Sequence, residues 1–165
     1  LIVGPSEEVR DAGAAKKEYA DRHHYRKRFW TLLLERAKTK TKLHANISPN
    51  IYSWVGTGAG IGGVSYIYVI GQHEAKVELY IDKDKEDGKE NKELFDRLFK
   101  QRGKIEAVFG GELSWERLDT KRASRVAKHY LNLGYKDEEK WEELADKMID
   151  GMIRLEKALS PFLNK

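Results

Sequence analysis

The sequence of 165 residues contains no cysteine, and this absence excludes disulfide scaffolds, catalytic thiols and cysteine-ligated metal centres. Long apolar runs are also missing, because no segment approaches the roughly 20 apolar residues that a membrane-spanning helix needs. A chain without cysteine is typical of a reducing compartment. We therefore expect a cytoplasmic protein that does not contact a membrane.

The chain also lacks an initiator methionine and begins Leu1-Ile2-Val3-Gly4-Pro5. Three apolar residues are too few for the core of a signal peptide, which needs about 7 to 15. They predict instead the last strand of a preceding domain, so we expect residues 1–21 to be a helical linker or the end of that domain. Residues 22–165 are expected to form a single domain, since 40% hydrophobic and 35% charged residues suit one sizeable core.

The charged residues are unevenly distributed along the chain, although the net charge is only +4. Some segments have few acidic residues, and others have few basic residues. The segments 22–42 and 97–128 are predominantly basic, whereas the segments 74–96 and 137–150 are predominantly acidic. We therefore expect a negatively charged partner to meet only part of the surface.

The periodicity of apolar residues predicts groups of helices and strands. Helices are predicted over residues 21–39, over residues 94–109 with Gly103 as a candidate kink, and from Asp137 onward, with Asp137 as the N-cap. Strands are predicted over residues 52–55, 64–70, 75–82, 113–118 and 123–130. This order predicts an α+β fold, in which a mainly antiparallel sheet built from two hairpin regions packs against three helices.

The segment from Gly58 to Gly63 formally matches the G-x-G-x-x-G pattern of dinucleotide-binding proteins. That pattern needs a helix directly after the glycines, because the amides of its first turn hold the pyrophosphate. Residues 64–70 are instead rich in β-branched and aromatic side chains, which predict a strand. We therefore interpret the glycines as the tip of a hairpin and expect no cofactor.

Catalytic and metal-binding patterns are incomplete in this sequence. Glu74-Ala75-Lys76 provides the E-x-K half of a restriction-type metal site, but no carboxylate between Glu35 and Glu74 supplies a second acidic strand. Glu78 and Asp82 share the outward face of one strand, which simple alternation explains. The histidines form no helical metal-binding pair, and the serines lack the G-x-S-x-G motif. We expect no catalytic residue and no metal site.

Basic side chains are the stronger candidates for a binding site, because lysine and arginine dominate non-specific affinity for nucleic acid. The candidates lie on the first helix, in the segment after it and in the second hairpin: Lys27, Arg28, Lys38, Lys40, Lys42, Arg117, Lys121, Arg122 and Arg125. Trp54, Tyr66 and Tyr68 are able to stack on bases, although strand aromatics more often belong to the core. An ordinary solvated surface explains the same basic residues, and this alternative stays open.

Several separated motifs occur in order along the chain: Phe29-Trp30 with Leu33-Leu34, His44 to Pro49, Lys76 to Asp82, Glu90 to Lys92 with Phe95, and Ser114 to Asp119 with Arg122 and Arg125. Together they resemble a prokaryotic family, a domain of unknown function, over roughly residues 25–163. This family is often C-terminal to restriction-endonuclease-like nucleases of the RecB/NucS type. The resemblance implies an accessory role beside an N-terminal nuclease domain and brings no catalytic residues with it.

These observations predict a non-catalytic C-terminal accessory domain of a nuclease or defence-type protein, which contacts DNA through its basic surface. A protein-interaction or oligomerisation module is the first alternative, and it would use the apolar face of the acidic terminal helix. An effector-sensing domain is the second, and it would use the glycine loop with the neighbouring tyrosine and tryptophan residues as a pocket.

Overall fold

In this chain, segments with an apolar residue at every second position form strands, and segments with apolar residues at helical spacing form helices. The computed structural model describes the backbone of residues 5–163 and the side chains of residues 13–163. The helices are α1 (Pro5–Lys38), α2 (Lys89–Lys100), α3 (Arg102–Phe109) and α4 (Trp141–Leu163). The strands are β1 (Trp54–Gly58), β2 (Val64–Ile70), β3 (Glu74–Ile81), β4 (Ser114–Glu116) and β5 (Ser124–Leu131). The predicted α+β fold is confirmed.

The strands of the described chain form one sheet with the order β1-β2-β3-β5-β4, and every neighbouring pair is antiparallel. Two hairpins join β1, β2 and β3, after which α2 and α3 carry the chain to β4 at the far edge. β5 then returns between β4 and β3. In this register Tyr68 lies opposite Val77, and Leu79 lies opposite Val126. Apolar residues of three adjacent strands therefore share one face.

Helices cover that apolar face of the sheet. α4 packs against β2 and β3, and both α1 and α3 pack against α4. Phe29 and Trp30 of α1 are fully buried, and the ring of Phe29 meets the ring of Trp141 edge to face at 5.6 Å between centroids. Burial of these apolar side chains provides the main driving force for folding.

The apolar face of α4 is buried within the domain. Trp141, Leu144, Met148 and Leu159 are all buried and belong to the same core as the sheet. These side chains already pack against the domain's own sheet and helices, so this face is not exposed for a partner; a protein-interaction or oligomerisation module as such stays an alternative prediction.

Three local features differ from the predicted boundaries. The segment predicted as one helix over residues 94–109 is two helices that meet at Gln101. β1 begins and ends later than the predicted strand over residues 52–55. Asp137 does not cap a helix, because its carboxylate accepts a hydrogen bond from the Gly134 amide and the 3-10 turn Glu138–Lys140 precedes α4.

α1 is longer than predicted and runs without interruption from Pro5 to Lys38. The predicted boundary after residue 21 therefore falls inside a helix, and residues 1–4 lie outside the described residues. The assignment of residues 1–21 to a linker or a preceding domain stays a prediction. Among residues 5–163, no helix combines the length and the apolar character that a membrane span requires.

The glycine-rich segment forms the connection between β1 and β2, as predicted. Gly63 has a φ of 77°, and a Cβ at this position would collide with the backbone of Lys83. This close approach arises because the Asp82 amide donates a hydrogen bond of 2.8 Å to the Gly63 carbonyl. Glycine is needed here for both the left-handed backbone and the lack of a side chain.

One lysine fixes the connection between β4 and β5. The ammonium nitrogen of Lys92 in α2 lies 2.6 to 2.9 Å from four acceptors, which share its three N–H groups: the carbonyls of Arg117, Leu118 and Ala123 and the Ser124 hydroxyl. Burial of the ammonium group lowers the pKa of Lys92. These bonds hold the β4–β5 connection against α2.

Replacement of Lys92 by methionine is expected to lower the free energy of unfolding by about 2 kcal/mol or more, because several acceptors lose their donor while the aliphatic stem is kept. Urea denaturation measures this change. Lys100→Met on the exposed side of the same helix is the matched control and should change stability by less than about 0.5 kcal/mol. Equal effects of the two substitutions would contradict a structural role for the Lys92 bonds.

Candidate functional site

The face of the sheet opposite the core carries the candidate site, and we call it the open face. Its side chains come from strand positions that alternate with the buried ones, such as Lys76, Glu78 and Tyr80 between the core residues of β3. They line a depression of about 600 Å³, which we call the trough. This volume lies within the range that is typical of small-ligand sites.

The strand register arranges the open face in three rows that run across the strands. The first row is Trp54, Val69, Lys76 and His129; the middle row is Gly56, Ile67, Glu78 and Ala127; the third row is Gly58, Ser65, Tyr80 and Arg125. All three rows contribute to the lining of the trough. The middle row has Gly56 at β1 and Ala127 at β5, and it forms the floor between the larger side chains of the other two rows; at β1 the third row is equally small, because it has Gly58 there.

Two glycines open the trough toward the edge strand β1. A Cβ at Gly58 would meet no atom within 4 Å, so the space above this residue is free. A Cβ at Gly56 would lie 3.0 Å from the Ile67 side chain, which forms the floor beside it. Larger residues at these two positions would reduce the trough from its open side.

Aromatic side chains occur in both walls of the trough. Trp54 in the first row is 49% exposed, which is unusual for the largest apolar side chain. Tyr80 in the third row is partly buried. A planar molecule that enters the trough therefore meets an aromatic ring on either side of the floor.

Glu78 lies at the inner end of this floor and is only 3% exposed. Lys76 Nζ is 3.6 Å from Oε1, and Arg125 Nη1 is 3.7 Å from Oε2. No donor in the described chain forms a hydrogen bond with Oε2. Burial raises the pKa of Glu78, and the two cations only partly oppose this effect.

A second carboxylate lies behind Arg125, the residue that lines the trough at β5. Glu116 accepts hydrogen bonds of 2.8 Å from Arg125 and from His129, and Ala127 between these two residues is fully buried. Burial disfavours the ionised form of Glu116, but the hydrogen bonds outweigh this effect and keep its pKa below the usual value. The trough thus has a charged end at β5, where Arg125 lines it, and an open end at β1.

The predicted basic residues of the first helix and its continuation lie on the helical side of the molecule. Arg28 forms an ion pair with Glu138, and Lys40 Nζ is 3.9 Å from an Asp146 oxygen. The remaining three of this group are exposed: Lys27, Lys38 and Lys42. α1 packs against α4, so this group borders the acidic segment that includes Asp146.

The predicted basic residues of the second hairpin fall into two places. Arg117 pairs with Asp96 and Asp119, and Arg122 forms a bidentate pair with Asp82 at 2.7 and 2.8 Å. Lys121, between them in sequence, is exposed. Of the nine predicted residues, Arg125 alone lines the trough. The role of all nine in binding nucleic acid stays a prediction.

Comparison with known proteins places this domain in a family. Residues 25–163 match the family model described as Domain of unknown function (DUF4268). The chain belongs to this family. The match confirms the resemblance to a domain of unknown function and its extent, whereas the association of DUF4268 with nucleases stays a prediction. No curated protein and no solved structure matches the chain.

Carboxylates of this DUF4268 domain are not grouped as metal ligands. Within the described residues, no cluster of three or more histidine, aspartate or glutamate side chains has the arrangement that could hold a metal ion. Glu74 of the E-x-K motif is exposed, and Lys76 of the same motif approaches Glu78 instead. Glu78 and Asp82 are buried, contrary to the exposed positions expected from alternation.

Sequence reasoning missed most of the residues that line the trough in the DUF4268 domain. The sequence pattern predicted an exposed Glu78 and placed Gly58 in a hairpin tip, and it did not indicate Gly56 at all. One signal was present: Ile67 and Val69 alternate with the core residues of β2, so this strand is apolar on both faces. Such a strand predicts a cover or a ligand on its second face.

We expect the unfolding free energy of the Glu78→Gln variant to increase relative to that of the unmodified protein as the pH rises from about 4.5 to 8. The buried carboxyl has a raised pKa, so the native state holds its proton more tightly than the unfolded state and loses stability when the proton leaves. The difference in unfolding free energy grows by about 1.4 kcal/mol for each unit by which the pKa is raised. Urea denaturation across this pH range measures it.

Glu74→Gln on the same strand is the control for the loss of one negative charge. Its effect on stability should change little over the same pH range, because the Glu74 side chain is exposed. A pH-independent difference for Glu78→Gln would contradict the raised pKa.

The domain is expected not to cleave DNA with Mg²⁺ or Mn²⁺, because no group of three or more carboxylate or histidine side chains among the described residues is arranged to complete the ligand shell of a metal ion. Plasmid nicking measured by gel electrophoresis tests this expectation. Metal-dependent nicking that Glu74→Ala or Glu78→Ala abolishes would overturn it.

Proposed function

We propose that this DUF4268 domain is a non-catalytic module that binds single-stranded nucleic acid in the trough, and that it serves as the accessory domain of a nuclease or defence-type protein. The observation that carries the proposal is the exposed Trp54 beside a concave face that also presents Tyr80, Lys76 and Arg125. The family resemblance supports DNA and an N-terminal nuclease domain as the partners.

Stacking on Trp54 is the first support for this function. An indole that is 49% exposed leaves apolar area in water, and a nucleobase has a planar face of matching size. Base stacking on aromatic side chains contributes about 1 to 3 kcal/mol per base and tolerates any sequence. Tyr66 and Tyr68, the other aromatic candidates of the sequence, are buried in the core and do not take part.

The concave shape of the trough favours single strands over duplexes. Reading a duplex groove requires a protruding helix or a two-stranded ribbon, whereas unpaired bases can be turned outward into a pocket. The trough is open at β1, and the absence of side chains at Gly56 and Gly58 leaves room for a strand to enter over this edge. A strand that passes β1 can therefore place a base on Trp54.

Electrostatic attraction of phosphates contributes less to binding in the trough than the basic residues of the sequence suggested. Lys76 and Arg125 already lie beside Glu78, and Arg125 also bonds to Glu116. Cations that are balanced by carboxylates release few counterions when phosphates approach. We therefore expect stacking and hydrogen bonds to dominate in the trough, while phosphate contacts depend on exposed residues such as Lys121.

An effector-sensing role is the second candidate, and the charged end of the trough favours it. Arg125 lines the depression at β5 and is held there by Glu116, so a ligand of one or two rings would be held between the walls and this guanidinium. The same volume of about 600 Å³ would accommodate a single nucleotide.

Fluorescence anisotropy with a labelled 12-nucleotide strand tests the proposed function. Trp54→Ala should weaken binding about tenfold or more, because one stacked base is lost. Gly58→Leu should weaken it comparably by filling the trough, and it causes no backbone strain because the φ of Gly58 is outside the left-handed region. A duplex of the same sequence should bind less tightly than the single strand.

Matched controls separate the trough from general effects of substitution. Tyr19→Ala removes an exposed aromatic ring from α1, and Gly103→Leu adds a side chain to α3 where the space is equally open. Both should leave affinity within about twofold of the unmodified protein, as expected for surface changes away from the site. No binding of single strands at about 50 mM salt, or equal losses in trough and control variants, would refute the proposed function.

A further inference from the structure

Glu78 is an incompletely bonded acceptor at the inner end of the trough. Its side chain is almost completely buried, and Oε2 forms no hydrogen bond with any donor of the described chain. Lys76 and Arg125 approach its two oxygens to 3.6 and 3.7 Å, which is too far for a hydrogen bond. A buried charged acceptor without donors is costly. Oε2 itself is almost inaccessible, so a ligand would reach it when the Lys76 or Arg125 side chain beside Glu78 moves aside. N–H groups that the ligand then brings to Oε2 would remove this cost.

The charges around Glu78 restrict the ligand to a neutral group. A cationic ligand would be repelled by Lys76 and Arg125, and an anionic group would be repelled by Glu78 and by Glu116 beyond it. A neutral group that donates to the carboxylate and accepts from a neighbouring cation satisfies both sets of charges.

The rest of the trough selects a flat, largely apolar group. Ile67 forms the floor beside Glu78, and Val69 lies in the first-row wall next to Trp54. Tyr80 stands in the opposite wall. A planar ring with polar atoms along one edge fits this combination, with its faces toward the apolar and aromatic side chains and its polar edge toward Glu78.

We propose that the trough recognises a guanine base through its Watson–Crick edge, with Glu78 accepting hydrogen bonds from N1–H and from the 2-amino group. This inference rests on the proposed function and specifies the base that it selects. The guanine O6 next to N1 then accepts a hydrogen bond from Lys76 or Arg125. The order of two donors and one acceptor on this edge complements a carboxylate flanked by cations.

The Watson–Crick edge of each other base would direct a hydrogen-bond acceptor toward the Glu78 carboxylate. Adenine and cytosine carry an amino group beside an unprotonated ring nitrogen, and thymine and uracil place their single N–H between two carbonyl groups. Each of these edges puts a lone pair against Glu78, which is unfavourable in a buried site. Guanine is the base that offers two adjacent donors.

The guanine has two sources, a nucleotide within a strand or a free guanine nucleotide, and the experiment distinguishes them. Oligothymidylate 12-mers that carry one central guanine, hypoxanthine or adenine are compared by fluorescence anisotropy, and guanosine monophosphate is titrated by calorimetry. Hypoxanthine lacks only the 2-amino group. The guanine strand should bind about tenfold more tightly than the hypoxanthine strand, the value expected for one hydrogen bond to a charged group.

Variants on one strand test the role of Glu78. Glu78→Gln should reduce the preference for guanine over hypoxanthine to about twofold or less, because an amide presents one acceptor in place of two. Glu74→Gln on the same face should keep the full preference, since this residue is exposed and does not line the trough. The comparison of strands in the unmodified protein is informative even where Glu78→Gln folds poorly.

The outcomes separate this inference from the proposed function. A guanine preference that depends on Glu78 supports both. Equal binding of all strands that still requires Trp54 overturns the guanine site and leaves the proposed function intact. Binding of guanosine monophosphate that depends on Glu78, without binding of strands, supports the guanine site and refutes the single-strand function. Binding of neither ligand overturns both.

Discussion

The arrangement of the domain depends on one close approach between α4 and the sheet. Gly151 of α4 has no side chain, and a Cβ there would overlap the Tyr130 hydroxyl and lie 3.4 Å from Val77. That hydroxyl donates a hydrogen bond of 3.0 Å to the Lys147 carbonyl one turn earlier. Because α4 is held this close to β3 and β5, α1 and α3 pack on the same side, and the helices leave the second face of the sheet available for binding.

Local patterns in the sequence were sufficient to predict most of the fold. β2 coincides with its predicted bounds because Val64, Tyr66, Tyr68 and Ile70 alternate without interruption, and such a pattern suits no helix. Gly103 indicated a kink near Gln101, but the separation into two helices was not predictable, since apolar residues continue with helical spacing through both α2 and α3. Boundaries of this kind depend on tertiary packing rather than on propensity.

The site was less predictable than the fold, because the register of separate strands creates it. Glu78 is polar and alternates with core residues, so only the neighbouring Ile67 and Arg125, 11 and 47 residues away in sequence, explain its burial. The ion pairs of the basic residues were equally unpredictable, because their partners are distant in sequence. Arg122 pairs with Asp82 across 40 residues, and no local pattern distinguishes a paired guanidinium from a free one.

The position of β1 at the edge of the sheet separates two tasks within the trough. Glu78 lies on β3, which has neighbours on both sides and core residues on its other face, so changes there disturb folding. Trp54 and Gly58 lie on β1, which pairs with β2 alone. Selection can therefore remodel the width and the entrance of the trough through one edge strand and its loop, while the charged centre and the core remain as they are. Under the proposed function, a change in the size of the ligand would therefore require no new fold.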